Sequence, residues 1–199
     1  MIAASALALC VIGGSVINAT LNGKPTAIDE LLYRSISGFR APWLDGPSLV
    51  LNQAGGGIIA LVIMPLIAAA VLLMTRGVWA AVAVLPLRPL TQWAVESLKD
   101  IFERPRPPHR EISVALSAYP SGHSAVAASL IVVLALLIRR RWFTLIGLLY
   151  VIAMGWSRLY LNVHWFTDIL GGTALGIAVG LAVWVLAGGI RSLALRPRL

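Results

Sequence analysis

The sequence predicts an all-helical membrane protein, a single bundle of six transmembrane helices. Three observations lead to this fold class. The 199 residues are 59% hydrophobic and only 12% charged, with a mean hydropathy of +0.87, which is far more apolar than a soluble domain. A window of about 19 residues divides the chain into six apolar stretches. Basic residues are spread unevenly over the segments between these stretches, as they are in membrane proteins of defined orientation.

The six apolar stretches lie near residues 2–21, 55–74, 78–97, 122–138, 142–161 and 165–187. Most of them reach the roughly 20 residues that a helix needs to cross about 30 Å of hydrocarbon, and the fourth is at the short end of that range. Because they occupy most of the chain, we expect one domain over residues 1–199. The first stretch lacks the basic segment that opens a signal peptide, so we expect a retained helix.

Arginines mark one side of the predicted bundle. They lie between the second and third stretches, between the fourth and fifth, and after the sixth, at Arg76, Arg139, Arg140, Arg141, Arg191, Arg196 and Arg198. By the positive-inside rule this side is cytoplasmic, which places both termini in the cytoplasm. Topology and contact with anionic lipids thus account for much of the net charge of +8, and we expect no nucleic-acid partner.

The first outer segment contains "TAIDELLYRSISGF", which predicts a short amphipathic helix. Thr26 is a candidate N-cap with Asp29 three residues later, and Ile28, Leu31 and Leu32 share one face. Such a helix lies in the headgroup layer. We favour a simple interfacial anchor, with a gate for a lipid substrate as the alternative.

The second outer segment, "KDIFERPRPPHREISVALSAYPSGHS", concentrates positive charge at Lys99, Arg104, Arg106 and Arg110. Proline fixes φ and disfavours helix at the preceding residue, so "RPRPP" should be stiff and extended. Arginine offers a planar donor fork that suits phosphate oxygens, and lysine adds a compact charge. Taken alone, this segment is equally consistent with a phosphate site and with a basic loop that binds lipid headgroups.

"PSGH" at residues 120–123 predicts an anion site at the start of the fourth helix. Ser121 is a candidate N-cap, and the free N–H groups that follow it would point outward. Gly122 would let an oxyanion approach the backbone closely. His123 falls in the first turn, at the rim of this site.

"SRLYLNVHWFTD" at residues 157–168 adds Arg158, His164 and Asp168 where the fifth helix ends and the sixth begins. If this stretch is helical, the i, i+4 spacing brings His164 and Asp168 into contact. A carboxylate on one imidazole nitrogen fixes the tautomer and leaves the other nitrogen free as a base or nucleophile. A buried structural pair is the alternative, but ionisable groups at membrane depth are costly and favour a functional interpretation.

The three segments all lie at outer helix ends in the predicted topology. Together they supply two imidazoles, an orienting carboxylate, several cations and a backbone anion site, a set that suits phosphoryl transfer. The sequence shows neither the carboxylate cluster typical of magnesium sites nor the cysteine or histidine cluster typical of zinc sites. We therefore expect no metal and no cofactor.

These segments resemble the type 2 phosphatidic acid phosphatase superfamily of membrane lipid phosphate phosphatases. Lys99, Arg106 and Pro107 match Lys-x6-Arg-Pro, and residues 120–123 match Pro-Ser-Gly-His. Residues 157–168 match Ser-Arg-x5-His-x3-Asp. Each motif alone is weak, but all three in order are highly specific.

The resemblance implies a metal-independent reaction through a phosphohistidine. His164 would attack phosphorus while Asp168 orients it, and His123 would protonate the leaving oxygen and then activate water. The groups that would hold the phosphate are Lys99, Arg106, Arg158, Ser121 and Gly122. The expected substrate is a membrane lipid phosphate or pyrophosphate, first undecaprenyl pyrophosphate and second phosphatidylglycerophosphate. The expected location is the bacterial cytoplasmic membrane, with the active site facing outward.

Arg88, in the middle of the third predicted span, lies outside these motifs. Gln92 and Glu96 follow at i+4 and i+8 and form a polar stripe towards Lys99. A central arginine costs at least about 2.5–3.5 kcal/mol on insertion scales, so it needs a partner or water. We favour a structural network in a helix kinked by proline. A polar path would indicate a lipid transporter or flippase, and an inactive scaffold of the same fold is a third alternative.

Overall fold

The computed structural model describes residues 1–39, 41–56 and 62–194, and these parts of the chain fold into helices and contain no β-strand. The helices are α1 (Ile2–Leu21), α2 (Ala27–Ser37), α3 (Pro42–Gly55), α4 (Met64–Arg76), α5 (Val78–Val84), α6 (Leu87–Phe102), α7 (Gly122–Ile138), α8 (Arg141–Tyr160) and α9 (Phe166–Ala194). The prediction of an all-helical protein is therefore confirmed for the described residues.

Among the described residues, four helical segments are long and apolar enough to cross a membrane: Ile2–Leu21, Val78–Phe102, Arg141–Tyr160 and Phe166–Ile190. Two shorter apolar helices, Pro65–Arg76 and Gly122–Ile138, occupy the second and fourth predicted spans. The start of the second predicted span and the arginines at 196 and 198 fall on residues 57–61 and 195–199, outside the described residues. Six spans and cytoplasmic termini remain predictions.

The third predicted span is divided in two. Helix α5 ends at Val84 and α6 begins at Leu87, with Leu85 and Pro86 in a turn between them. Proline lacks the N–H that an uninterrupted helix needs, which accounts for the break. Helix α6 then carries Arg88 and Lys99 towards opposite ends of the same segment.

Helix α9 is the centre of the bundle and packs most closely on α7. Small residues make this approach possible: a Cβ added at Gly172 would meet the carbonyl oxygen of Ser121, and one at Gly176 would meet that of Ala125. In contrast, large apolar side chains such as Leu9, Leu73 and Leu149 are exposed on the outside of the bundle. This is the arrangement of a protein whose outer surface faces lipid.

The first outer segment folds as two helices. Helix α2 begins with the predicted capping box, in which Thr26 and Asp29 exchange hydrogen bonds. Helix α3, which the sequence analysis placed within a loop, packs against α8. Gly46 and Pro47 lower its intrinsic helix propensity, so its formation depends on that packing.

Candidate active site

His164 lies in the turn between α8 and α9. We expected a helix that includes both His164 and Asp168, but α9 begins at Phe166. The expected contact is nevertheless present, with His164 Nδ1 3.4 Å from Asp168 Oδ2. It forms because Asp168, in the first turn of α9, accepts the backbone N–H of Trp165 at 2.8 Å, in the manner of a capping box, and so faces back towards His164. The other ring nitrogen, Nε2, is left for a reacting group.

Arg104 holds the second oxygen of the same carboxylate. Its Nη1 donates to Asp168 Oδ1, and its Nη2 donates to Asp29 Oδ2 at 2.8 Å. All three side chains are buried, with at most 1% of their surface exposed. From the sequence we expected Arg104 to be one of the cations of the outer loop, whereas the fold turns it inward as the partner of two carboxylates. The pattern "RPRP" gave no signal of this difference, because residues two apart in an extended segment are expected on the same side.

Asp29 connects the amphipathic helix α2 to this cluster. Its Oδ1 accepts the backbone N–H of Thr167 at 2.9 Å, next to Asp168 in α9. Burial acts to raise the pKa of Asp29, but hydrogen bonds from Thr167, Thr26 and Arg104 outweigh it, and the pKa lies below its usual value. Helix α2 is therefore fixed to the site by a buried carboxylate and is more than an interfacial anchor.

Arg106 stands on the open side of His164. Its Nη1 lies 3.1 Å from His164 Nε2 and also donates to the carbonyl oxygen of Val163. Burial lowers the pKa of Arg106 to about 10, which leaves the guanidinium charged at neutral pH. Burial also lowers the pKa of His164 to about 4, and the charge of Arg106 acts in the same direction while Asp168 opposes it. His164 is accordingly a neutral imidazole at pH 7.

His123 and Arg158 meet at the end of α3. His123 Nε2 lies 3.2 Å from the carbonyl oxygen of Asn52, and Arg158 Nη1 donates to Asn52 Oδ1 at 2.8 Å. The Ser157 hydroxyl accepts from Arg158 Nε at 3.1 Å, which fixes the other edge of the guanidinium. Asn52 was missed from the sequence, since it belongs to none of the three motifs.

Ser121 and Gly122 open α7 as predicted. The Ser121 hydroxyl caps the helix by accepting the N–H of Ser124, and its own N–H donates to the carbonyl oxygen of Asp168 at 3.0 Å. Ser121 is fully buried, whereas Gly122 lines the cavity beside His123. The start of α7 is thereby tied directly to the start of α9.

Lys99 reaches the site from α6. Its Nζ lies 3.1 Å from Glu96 Oε1, which also accepts from Gln92 Nε2 at 2.6 Å. Hydrogen bonds therefore connect Lys99, Glu96 and Gln92 along the predicted polar stripe. Arg88 instead donates to the carbonyl oxygen of Gly55 at 3.0 Å, so it is joined to α3.

These groups surround a cavity of about 210 Å³. It is lined by Gly55, Gly56, Arg88, Gln92, Lys99, Arg106, Val114, Ala115, Gly122, His123, Arg158, Val163 and His164. Four of these residues are cations, and no carboxylate is among them. A larger and more open depression of about 1040 Å³ on the outer segment shares Lys99 and Arg106 with it. The smaller cavity is the one that contains both histidines.

The arrangement combines a neutral, oriented imidazole with a second imidazole and four cations around one enclosed space. Such a site is suited to bind an anionic electrophile, for example a phosphate group, and to attack it. Within residues 1–39, 41–56 and 62–194, no cluster of three His, Cys, Asp or Glu side chains is placed to hold a metal ion.

Comparison with proteins of known structure gives the same fold. The chain aligns over 98% of its length with 98% of a transmembrane PAP2-type phosphatidylglycerolphosphate phosphatase from Bacillus subtilis, with a TM-score of 0.78 and 25% sequence identity. It also aligns over 80% of its length with 96% of LpxE from Aquifex aeolicus, with a TM-score of 0.70 and 26% identity.

Sequence comparison finds lipid phosphatases. The chain is 28% identical to phosphatidylglycerophosphatase B of Bacillus subtilis (strain 168) over 159 residues, which are 75% of this chain and 78% of that protein. It is 36% identical to an undecaprenyl-diphosphatase of Sulfolobus acidocaldarius over 59 residues, 30% of this chain and 28% of that protein. The family model of the PAP2 superfamily matches residues 77–191, which include all three motifs. The chain belongs to the PAP2 superfamily.

Proposed function

We propose that this protein removes phosphate from a membrane lipid phosphate or diphosphate at the outer leaflet, without a metal, through a phosphohistidine on His164. The observation that carries the proposal is the state of His164. It is neutral, its Nδ1 is 3.4 Å from Asp168, and its Nε2 faces the cavity 3.1 Å from Arg106. A nucleophile needs this combination of an unprotonated nitrogen and a fixed orientation, and the Arg106 N–H next to Nε2 can turn to a phosphate oxygen when substrate binds.

In the first step His164 Nε2 attacks phosphorus, and the bond from phosphorus to the leaving oxygen breaks. The proton on Nδ1 stays against Asp168, which stabilises the positive charge that develops on the ring. Arg106 is next to the attacking nitrogen, so it is placed to bind the oxygens of the phosphoryl group as they pass through the transition state. Lys99, Arg158 and the backbone at Gly122 complete the phosphate site in this proposal, whereas the Ser121 N–H is already bonded to the carbonyl oxygen of Asp168.

His123 serves the leaving oxygen. It lines the same cavity from the start of α7, while His164 enters from the turn before α9. In an in-line displacement the nucleophile and the leaving group lie on opposite sides of phosphorus, and two histidines from different elements can serve these two sides. His123 donates a proton to the leaving oxygen and then takes one from the water that hydrolyses the phosphohistidine.

The substrate belongs to the class on which the relatives are named to act. Phosphatidylglycerophosphate has the support of the relative that aligns over most of the chain, and undecaprenyl diphosphate has that of a shorter alignment. We place undecaprenyl diphosphate first because four cations line the cavity. Residues 1–199 form one domain in this proposal, with six spans, cytoplasmic termini and the cavity facing outward from a bacterial cytoplasmic membrane.

Phosphate release by the purified protein in detergent with EDTA tests the proposal. The substrates are undecaprenyl diphosphate, phosphatidylglycerophosphate and phosphatidic acid, and the variant is His164→Ala. The exposed His109 gives a matched control in His109→Ala. We expect release in EDTA that is lost in His164→Ala and kept in His109→Ala. Release that requires a divalent metal, or that persists without His164, would contradict the mechanism, and no release from any lipid would favour transport.

A further inference from the structure

Arg88 is the cation of the cavity that no motif explains. It lies in the first turn of α6, and its Nη1 donates to the carbonyl oxygen of Gly55. Its Nε is buried and has no hydrogen-bond partner among the described residues. A buried guanidinium nitrogen without a partner is costly, and Arg88 lines the cavity in which an anionic ligand would lie.

Arg88 lies on the same side of the cavity as His123. Both side chains contact Gly55 at the end of α3, His123 by packing against it and Arg88 through its carbonyl oxygen. The cation that contacts His164 is Arg106 instead. With His123 serving the leaving oxygen as proposed, the leaving group lies on the side of the cavity that Arg88 shares with His123.

Arg88 also borders a second, apolar cavity of about 350 Å³. This cavity shares Gly55 and Arg88 with the cavity that contains the histidines, and most of its other lining side chains are aliphatic, such as Val84, Leu130 and Leu134. A substrate that extends from the reacting phosphate towards an apolar group would pass Arg88. The atoms next to the scissile bond are therefore the ones that Arg88 is placed to bind.

We infer that Arg88 binds the second phosphate of a lipid diphosphate and favours diphosphates over monophosphates. The inference rests on the proposed function and names the substrate class of the same site. The three motif cations, Lys99, Arg106 and Arg158, serve the phosphate that is attacked. A lipid monophosphate has only a neutral alcohol at the position of Arg88, whereas a lipid diphosphate has another phosphate there.

The bond changes fit this assignment. His164 Nε2 forms a bond to the terminal phosphorus, and the bond from that phosphorus to the bridging oxygen breaks. The electron pair goes to the bridging oxygen, which leaves as an oxygen of the lipid monophosphate. Arg88 stabilises the negative charge that accumulates there, and water then releases inorganic phosphate from His164. Electrostatic groups of this kind contribute on the order of 10²–10³-fold in rate.

The test compares farnesyl diphosphate with farnesyl phosphate, which share one tail. We expect Arg88→Gln to lower kcat/KM for the diphosphate by about 10²-fold and for the monophosphate by less than about 3-fold. Arg88→Lys, which keeps the charge, should retain at least about ten times the diphosphate activity of Arg88→Gln. The matched control is Arg76→Gln, at the far end of α4, where the side chain donates to the carbonyl oxygen of Leu137.

The role of Arg88 would be overturned if Arg88→Gln lowered kcat/KM equally for both substrates or for neither. It would also be overturned if Arg88→Lys were no more active on the diphosphate than Arg88→Gln. Thermal midpoints and gel-filtration profiles in detergent establish that the variants are folded. His164→Ala keeps the two hypotheses apart. If wild type cleaves both substrates through His164 and Arg88→Gln does not discriminate between them, the inference about Arg88 alone is wrong. If cleavage does not depend on His164, the proposed mechanism itself is wrong.

Discussion

His164 and His123 line the same cavity, but they are held by different kinds of contact. Around His164 the contacts are ionic and buried, since Asp168 is shared with Arg104 and Arg104 is shared with Asp29. Around His123 the contact is the carbonyl oxygen of Asn52, on a helix that was absent from the sequence prediction. One side is a closed network of charges from α2, α9 and the outer segment, and the other depends on the end of α3.

This difference indicates that the His164 side orients the nucleophile, whereas the His123 side determines which substrates react. Charged hydrogen bonds in a buried network are strong and tolerate little displacement, which suits a nucleophile that must approach phosphorus along one line. A carbonyl oxygen and a partly exposed amide form weaker contacts, which a leaving group can replace. We therefore expect changes on the His164 side to affect all substrates alike and changes on the His123 side to distinguish between them.

The largest expected effect tests this expectation at His123. A lipid monophosphate must expel a basic alkoxide, so His123→Ala should lower its kcat/KM by roughly 10²–10⁴-fold, the usual contribution of a general acid. A lipid diphosphate expels a phosphate ester, a better leaving group, and should retain relatively more activity. The measurement is kcat/KM for both farnesyl substrates. An equal fall in kcat/KM for the two substrates would mean that changes at His123 do not distinguish between substrates.

Arg104→Gln should affect all substrates alike, with a fall in kcat/KM of about 10²-fold as Asp168 loses its fixed orientation. It also leaves two buried carboxylates without their cation, which costs about 3–5 kcal/mol of stability. Arg34→Gln removes an exposed arginine of α2 and is the matched control.

The double variant Asp29→Asn/Arg104→Gln separates positioning from stability. It removes one of the two carboxylates that Arg104→Gln leaves uncompensated, so the thermal midpoint should recover in part while kcat/KM stays low. Recovery of activity together with stability would show that Arg104 is only a structural residue.

The pH dependence of kcat/KM tests the charge state of His164. Its pKa is lowered to about 4, and the attacking imidazole must be neutral, so activity should be kept down to about pH 5 and lost as the pH falls through about 4. Removing the positive charge of Arg104 favours protonated His164, which should move the acid limb of Arg104→Gln to higher pH. Ionisation of the free substrate affects the profiles of wild type and Arg104→Gln equally. An acid limb at the same pH in both proteins would therefore contradict the role of Arg104.

The sequence was sufficient for the helical class and for the residues that carry the motifs, because hydrophobic length and short-range spacing are local properties. The contact between His164 and Asp168 followed from spacing alone, although the chain makes it through a capping turn and not within a helix. Arg104, Asp29 and Asn52 could not be assigned in this way. Their partners are 64, 75 and 106 residues away, and only the packing of α2, α3 and α9 brings them together.

The smallest expected effect is that of Asn52, on the His123 side. Asn52 Oδ1 accepts from Arg158 Nη1, and a phosphate oxygen can take over this role once substrate is bound. Asn52→Ala should therefore leave kcat within about 2-fold and raise KM by roughly 3–10-fold, since Arg158 is less well ordered before binding. Gln53→Ala changes the exposed neighbour on α3 and should alter neither constant. A lower KM in Asn52→Ala would mean that Asn52 competes with phosphate for Arg158, and a large fall in kcat would mean that the His123 side is as rigidly organised as the His164 side.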